Sequence, residues 1–144
     1  MTDRAQGRSA PFEEVRALGL PPNDYAIFGS GPLIVRGLVP FRNDLDLLCR
    51  GAAWELACTL GAPMPLDNCD GSIVELADGR ITLGTRWGIG DPPVDELIDT
   101  AEIIDDLPFV RVRHVAAYKR IRGSAKDRAH LAAIEGAGLP TDSA

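Results

Sequence analysis

Residues 44 to 49 read DLDLLC, and this short run constrains the chain more than any other. As a β-strand it sends Leu45 and Leu47 into a core and projects Asp44 and Asp46 from the opposite face, because successive side chains alternate. The two carboxylates then stand about 6.6 Å apart. At that separation they repel by roughly 2.5 kcal/mol for an effective dielectric near 20. A cation between or beside them relieves the cost. A hard divalent ion such as Mg2+, or Mn2+ in its place, suits the position, since Mg2+ takes one or two carboxylates and completes its shell with water and phosphate oxygens.

Upstream, the apolar run YAIF (25–28) breaks at Gly29-Ser30-Gly31 before Pro32, a residue suited to the first position of a helix. Free N–H groups at a helix start can receive a phosphate, and glycine lets the backbone approach it closely. Gly29 and Ser30 are therefore candidate phosphate contacts. Metal ligands on one strand and phosphate donors on the preceding turn would form one site.

The rest of the chain supplies a frame for that site. Phe12, Val15 and Leu18 have near-helical spacing in residues 11–20, and Leu33, Ile34, Gly37 and Leu38 make a second stripe. Trp54, Leu56, Ala57 and Leu60 mark a third helix that Gly61 and Pro63 close. SIVEL and RITLGT, joined through Ala77-Asp78-Gly79, carry the strongest short-range hairpin signal. Residues 93–104 predict a helix with Val94, Leu97, Ile98, Ala101 and Ile104 inward, and LPFVRV then reads as extended. A helix over 114–122 stops at Gly123, and Ser124 with Asp127 forms a capping box for a last helix over 125–136. The fold class is α/β (α+β): a mixed sheet of about four or five strands flanked by helices, with further helices at the C-terminal end. One domain spans 11–136, between a flexible N-terminus (1–10) and a flexible tail (137–144).

With 144 residues the chain can bury roughly two-thirds of its unfolded surface without a disulfide or a structural metal. Cys49, Cys58 and Cys69 are odd in number and contain no Cys-x-x-Cys pair, and Cys49 reads as a buried thiol. No signal peptide or membrane span is legible, so the expected location is the cytoplasm. A net charge of −6 argues against broad binding to a DNA or RNA backbone, which scales with cationic contacts. The charges are nevertheless segregated. Seven of the fifteen basic residues fall in 111–128, directly after an acidic stretch over 91–106, so a local patch for a nucleotide is available.

The Gly29-Ser30 turn, an intervening helix and the Asp44-Leu45-Asp46-Leu47 strand together resemble the nucleotidyltransferase fold of the DNA polymerase beta superfamily, in its minimal single-domain bacterial members. The stretch from Val94 to Glu135 is also similar to their C-terminal half, with Lys119, Lys126 and Asp127 in matching places. The resemblance implies that Asp44 and Asp46 bind Mg2+ or Mn2+. It implies that Gly29, Ser30, Lys119 and Lys126 contact a nucleoside triphosphate (NTP), whose monophosphate passes to a hydroxyl while pyrophosphate leaves; Arg122, three residues after Lys119 and so on the same helix face, is a further candidate contact. The acceptor would be a small molecule, a protein or an RNA end. A second copy of the chain, a partner protein or the loops around Trp87 would supply its binding site.

Active relatives carry a third carboxylate on a neighbouring strand. Here that position falls on Thr82, a poor metal ligand and no base near pH 7. Glu75, on the other arm of the hairpin, is the substitute candidate for catalysis. His130 stands where relatives tend to carry an acid, and it and His114 read as helix-surface residues. The alternative is thus a degenerate relative that binds a nucleotide or a partner protein without turnover, and small members of the family suggest a toxin–antitoxin component by analogy.

Overall fold

In the computed structural model, which describes residues 11–42, 44–66, 70–86 and 93–139, seven strands form one mixed sheet. They are β1 (Tyr25–Phe28), β2 (Leu45–Cys49), β3 (Met64–Pro65), β4 (Ser72–Leu76), β5 (Ile81–Gly84), β6 (Glu102–Ile104) and β7 (Leu107–Phe109), in spatial order β3-β4-β5-β2-β1-β7-β6. β1 runs antiparallel to β2 and parallel to β7, while β2 runs parallel to β5. Every residue of β1 is buried, which is why YAIF lacks the polar alternation of a half-exposed strand.

Helices cover both faces: α1 (residues 11–17), α2 (Gly31–Ile34), α3 (Gly51–Leu60), α4 (Val94–Asp99), α5 (Val112–Arg122) and α6 (Ala125–Gly136). On one face Ile27, Leu45, Leu47, Leu83 and Val74 pack with Phe12 and Val15 of α1 and Ala53 and Ala57 of α3. On the other, Ala26, Phe28 and Leu48 pack with Leu97 and Ile98 of α4, Val115 and Ala116 of α5 and Ile134 of α6. Each fully buried Leu or Phe contributes about 1.5–3 kcal/mol. Cys49 is among these buried residues, and burial pushes its thiol up to about 12.

The α+β class matches the sequence reading, but the sheet has seven strands rather than four or five. The additions are the edge strands β3 and β6. β6 corrects the helix expected over 93–104. That helix ends at Asp99, and Glu102–Ile104 instead pairs antiparallel with β7 across Asp105-Asp106. Both aspartates take positive φ, +51° and +69°, as a tight two-residue hairpin turn requires. Ile104 consequently packs with the α1 and α3 face, not with Leu97 and Ile98.

The helix after the glycine-serine turn is also shorter than its apolar stripe. It stops at Ile34, where Gly37 adopts φ +75° and the Leu38 N–H reaches back to the Leu33 carbonyl at 3.0 Å, closing a left-handed cap. The Asp-Gly hairpin and the capping box both form. β4 and β5 pair from Leu76 and Ile81 outward. Ser124 Oγ accepts the Asp127 N–H at 3.1 Å while the Asp127 carboxylate accepts the Ser124 N–H at 3.1 Å. Among the described residues no helix is long and apolar enough to cross a membrane. The expectations for residues 1–10, Cys69, Trp87 and the last five positions, 140–144, lie outside the described residues.

Candidate functional site

The turn after β1 and the start of β2 meet. Phe28 pairs with Asp46 across the antiparallel ladder, so Gly29 arrives beside the carboxylate. Gly29 has φ +62°, and a Cβ placed on it would sit 2.8 Å from Asp46 Oδ2. Glycine is thus required twice over, by the left-handed backbone and by the close approach. Asp46 shares its face with Leu48, the face that α5 and α6 cover.

That orientation sets its electrostatics. Burial pushes the Asp46 carboxyl up to about 6, and neighbouring Asp44 adds to the shift against the opposing pull of Arg122, Lys126 and Lys119. Asp44 is exposed. Two carboxylates with one already resisting ionisation form a place where a cation lowers the energy. The donor set fits a single Mg2+, which needs one or two carboxylates and takes the rest of its shell from water and phosphates. Among the described residues no three His, Cys, Asp or Glu side chains gather as a metal-holding group.

Lys119, on α5, is completely buried, and its Nζ lies 3.4 Å from Ser30 Oγ and 3.6 Å from Asp127 Oδ1. Burial lowers the ammonium to about 8, partly offset by Asp127. Asp127 is also completely buried. Burial alone would raise its carboxyl, but hydrogen bonds from Arg122 and Ser124 outweigh this and hold it well below the usual carboxylate range. Those bonds run from Arg122 Nε and from its terminal nitrogen, both at 2.7 Å, and from Ser124 Oγ at 2.7 Å.

Arg122 was expected to touch phosphate. A third N–H, on its other terminal nitrogen, goes to the Tyr118 hydroxyl at 3.2 Å, and its guanidinium lies 5.2 Å from that ring's centre. Arg122 therefore anchors Asp127 and adds positive potential near Asp46, with three of its five N–H donors engaged in these bonds. The break at Gly123, φ +65°, does separate α5 from α6. Lys126 nevertheless lies close enough to Asp46, Lys119 and His130 to influence all three, and it is exposed.

His130 is not the surface residue its sequence position suggests. It is 9% exposed, and its Nδ1 lies 3.4 Å from Ser30 Oγ. Burial, then the nearby Lys119 and Lys126 charges, pull its ring down to about 4, so it is neutral at pH 7. Ser30 thus stands between a buried ammonium and a neutral imidazole, and its side chain does not cap α2. With a single-turn α2, attraction for an anion comes from Lys119 and Lys126 more than from a helix dipole. His114 is half-buried rather than on the surface, and its Nε2 lies 3.7 Å from Glu96 Oε2.

Register places Thr82 and Glu75, the residues weighed for a third acid, relative to Asp46. Asp46 pairs with Thr82 across the parallel β2–β5 ladder, and Thr82 pairs with Glu75 across the hairpin. A threonine therefore stands directly beside Asp46. Glu75 is exposed on the same face, two strands away or roughly 10 Å between Cα atoms. The fold brings Gly29, Ser30, Asp46, Lys119 and Lys126 together, and leaves Glu75 apart from them.

Asp127 and His130 are the residues whose roles at this site the sequence hid. The capping box announced Asp127 as a helix start, while only the packing of α6 on α5 turns it toward Lys119. No family model, curated protein or solved structure matches the chain.

Proposed function

We propose that this chain binds a nucleoside triphosphate on the Gly29-Ser30 turn and transfers its monophosphate to a hydroxyl of an acceptor, as a nucleotidyltransferase-like protein. The observation that carries this reading is the buried ammonium of Lys119 aimed at Ser30 Oγ beside the Asp46 carboxylate. A buried cation next to a hydroxyl and an open-backbone glycine forms an anion cradle, and its proximity to two aspartates is the pairing that triphosphate chemistry uses.

Each residue then has a distinct task. Gly29 lets the backbone approach the phosphates, Ser30 donates its hydroxyl, and Lys119 and Lys126 balance the triphosphate charge. Asp127, through Arg122 and Ser124, keeps Lys119 charged and aimed. Asp44 and Asp46 would hold Mg2+, which when bound supplies charge neutralisation at the phosphoryl oxygens. The acceptor hydroxyl attacks the alpha-phosphorus, its proton passes to solvent or to the acceptor's own site, and pyrophosphate leaves. The small chain makes a second copy or a partner protein the natural source of the acceptor surface.

Thr82 beside Asp46 favours a second reading, in which the chain holds a nucleotide or a partner protein without turnover. The two readings separate in one assay. The protein is incubated with Mg2+, alpha-labelled nucleoside triphosphates and a cell extract. Transfer of label that disappears in Asp44→Ala/Asp46→Ala supports the enzyme. Nucleotide binding with no transferred label supports the second reading, and transfer that persists in the double variant contradicts the assignment of these aspartates.

A further inference from the structure

A cavity of about 450 Å3 opens beside the Ser30 cluster, between the loop that follows α2 and one face of α6. Leu38, Val39 and Pro40 line one side, and Ala129, His130 and Ala133 line the other. Lys126 and Arg42, both exposed, also border it. Lys126, Ala129, His130 and Ala133 recur at three- and four-residue spacing, so they form a single stripe along α6.

That stripe is graded. Its N-terminal end, Lys126, belongs to the cationic group around Asp46. Its middle, His130, touches the phosphate-turn hydroxyl at 3.4 Å while also lining the cavity. Its far end is Ala133, an apolar side chain in the cavity wall. Two alanines leave a slot where longer side chains would fill it. Pockets for compact ring ligands have this size and character: mainly apolar walls with a few placed polar groups.

We propose that this slot takes the base of the nucleotide whose phosphates rest on Ser30 and Lys119, with the ligand lying along α6 from Lys126 toward Ala133. The proposal rests on the nucleotide reading above and assigns that ligand an orientation and specificity-determining residues: Ala129 and Ala133 by their smallness, His130 as the hinge between base and phosphates. The neutral state of His130 suits that position, since an uncharged imidazole can border both an apolar slot and a phosphate cradle.

The test uses calorimetry on the full chain with two probes, a non-hydrolysable nucleoside triphosphate and inorganic tripolyphosphate, each with Mg2+. The variants are Ala133→Phe, which fills the slot, and Ala129→Leu, a milder change at an exposed helix position. The expected result is that both weaken nucleotide binding, Ala133→Phe by at least tenfold, while tripolyphosphate binding stays as in the unmodified chain. Retained tripolyphosphate binding also shows that a variant has folded. If Ala133→Phe loses both probes, Ala129→Leu decides by the same criterion. Nucleotide affinity that is unchanged in a variant retaining tripolyphosphate overturns the base slot and leaves the phosphate site standing. An unmodified chain that binds neither probe overturns the nucleotide reading itself, and the slot with it.

Discussion

Lys119 Nζ lies 3.4 Å from Ser30 Oγ, although 89 positions separate the two residues in the chain. β1 delivers the serine and α5 delivers the lysine. The buried Asp127 carboxylate, 3.6 Å away, favours the charged ammonium and partly offsets the lowering that burial imposes. This relationship makes the glycine-serine turn more than a bend between strand and helix, and several outcomes depend on it.

The first concerns pH. Lys119 is lowered to about 8, so its charge is present at pH 7 and is lost as pH rises through 8. Affinity for inorganic tripolyphosphate should therefore hold between pH 6.5 and 7.5 and decline between pH 8 and 9. Calorimetric titration across that range checks it, with an Lys119→Met chain expected to bind weakly at every pH.

Asp46 should show the opposite kind of linkage. Its carboxyl is raised to about 6, so between roughly pH 4 and 6 the folded chain binds more protons than the unfolded one, and stability falls as pH rises through that window. The full penalty is present at pH 7. Asp46→Asn removes it and should stabilise the fold at pH 7 by about 1–3 kcal/mol, at the scale of 1.36 kcal/mol per pKa unit. At pH 4 the gain should vanish. Urea unfolding at the two pH values measures the difference.

Asp127→Ala should be far more damaging. It leaves Lys119 buried without its carboxylate, breaks both Arg122 bonds and removes one half of the α6 capping box. Removing one partner of a buried ion pair costs about 3–5 kcal/mol. Thermal unfolding should show the loss, and Asp127→Asn should recover part of it by keeping the hydrogen-bonding shape.

How much of this was legible beforehand differs from one residue to the next. Gly29, Ser30, Asp44 and Asp46 could be singled out because strand alternation and glycine's backbone freedom are local properties. The Asp-Gly hairpin and the Ser124–Asp127 box were legible for the same reason. β6 was not, because Glu102–Ile104 continues the helical stripe of α4, and only the positive φ at Asp105 and Asp106 turns the chain into a hairpin. His130 and the second role of Asp127 depend on α6 packing against α5 and the Ser30 turn. That is a long-range contact with no periodic signature. Glu75 has the right parity to share a face with Asp46, but parity says nothing of the intervening strand, and β5 puts Thr82 between them.

Thr82 accordingly offers a gain-of-function test. Thr82→Asp places a carboxylate directly across the β2–β5 ladder from Asp46. Mn2+ affinity, read from loss of the free-ion electron paramagnetic resonance signal, should rise at least tenfold at pH 7.5. A matching substitution at Glu75, Glu75→Gln, should leave Mn2+ affinity within about twofold, given its separation of roughly 10 Å from Asp46.

In the proposed function the Gly29-Ser30 turn, Lys119 and the two aspartates form one triphosphate and metal site. Crystals soaked with a non-hydrolysable nucleoside triphosphate and Mn2+ test it most directly, because the anomalous signal locates the ion independently of the surrounding density. The expected result is an Mn2+ peak at ligand distance, about 2.2 Å, from carboxylate oxygens of Asp44 and Asp46, with phosphate density against Ser30 and Lys119. Nucleotide bound elsewhere on the chain, or bound at the turn with no Mn2+ peak at either aspartate, would contradict it.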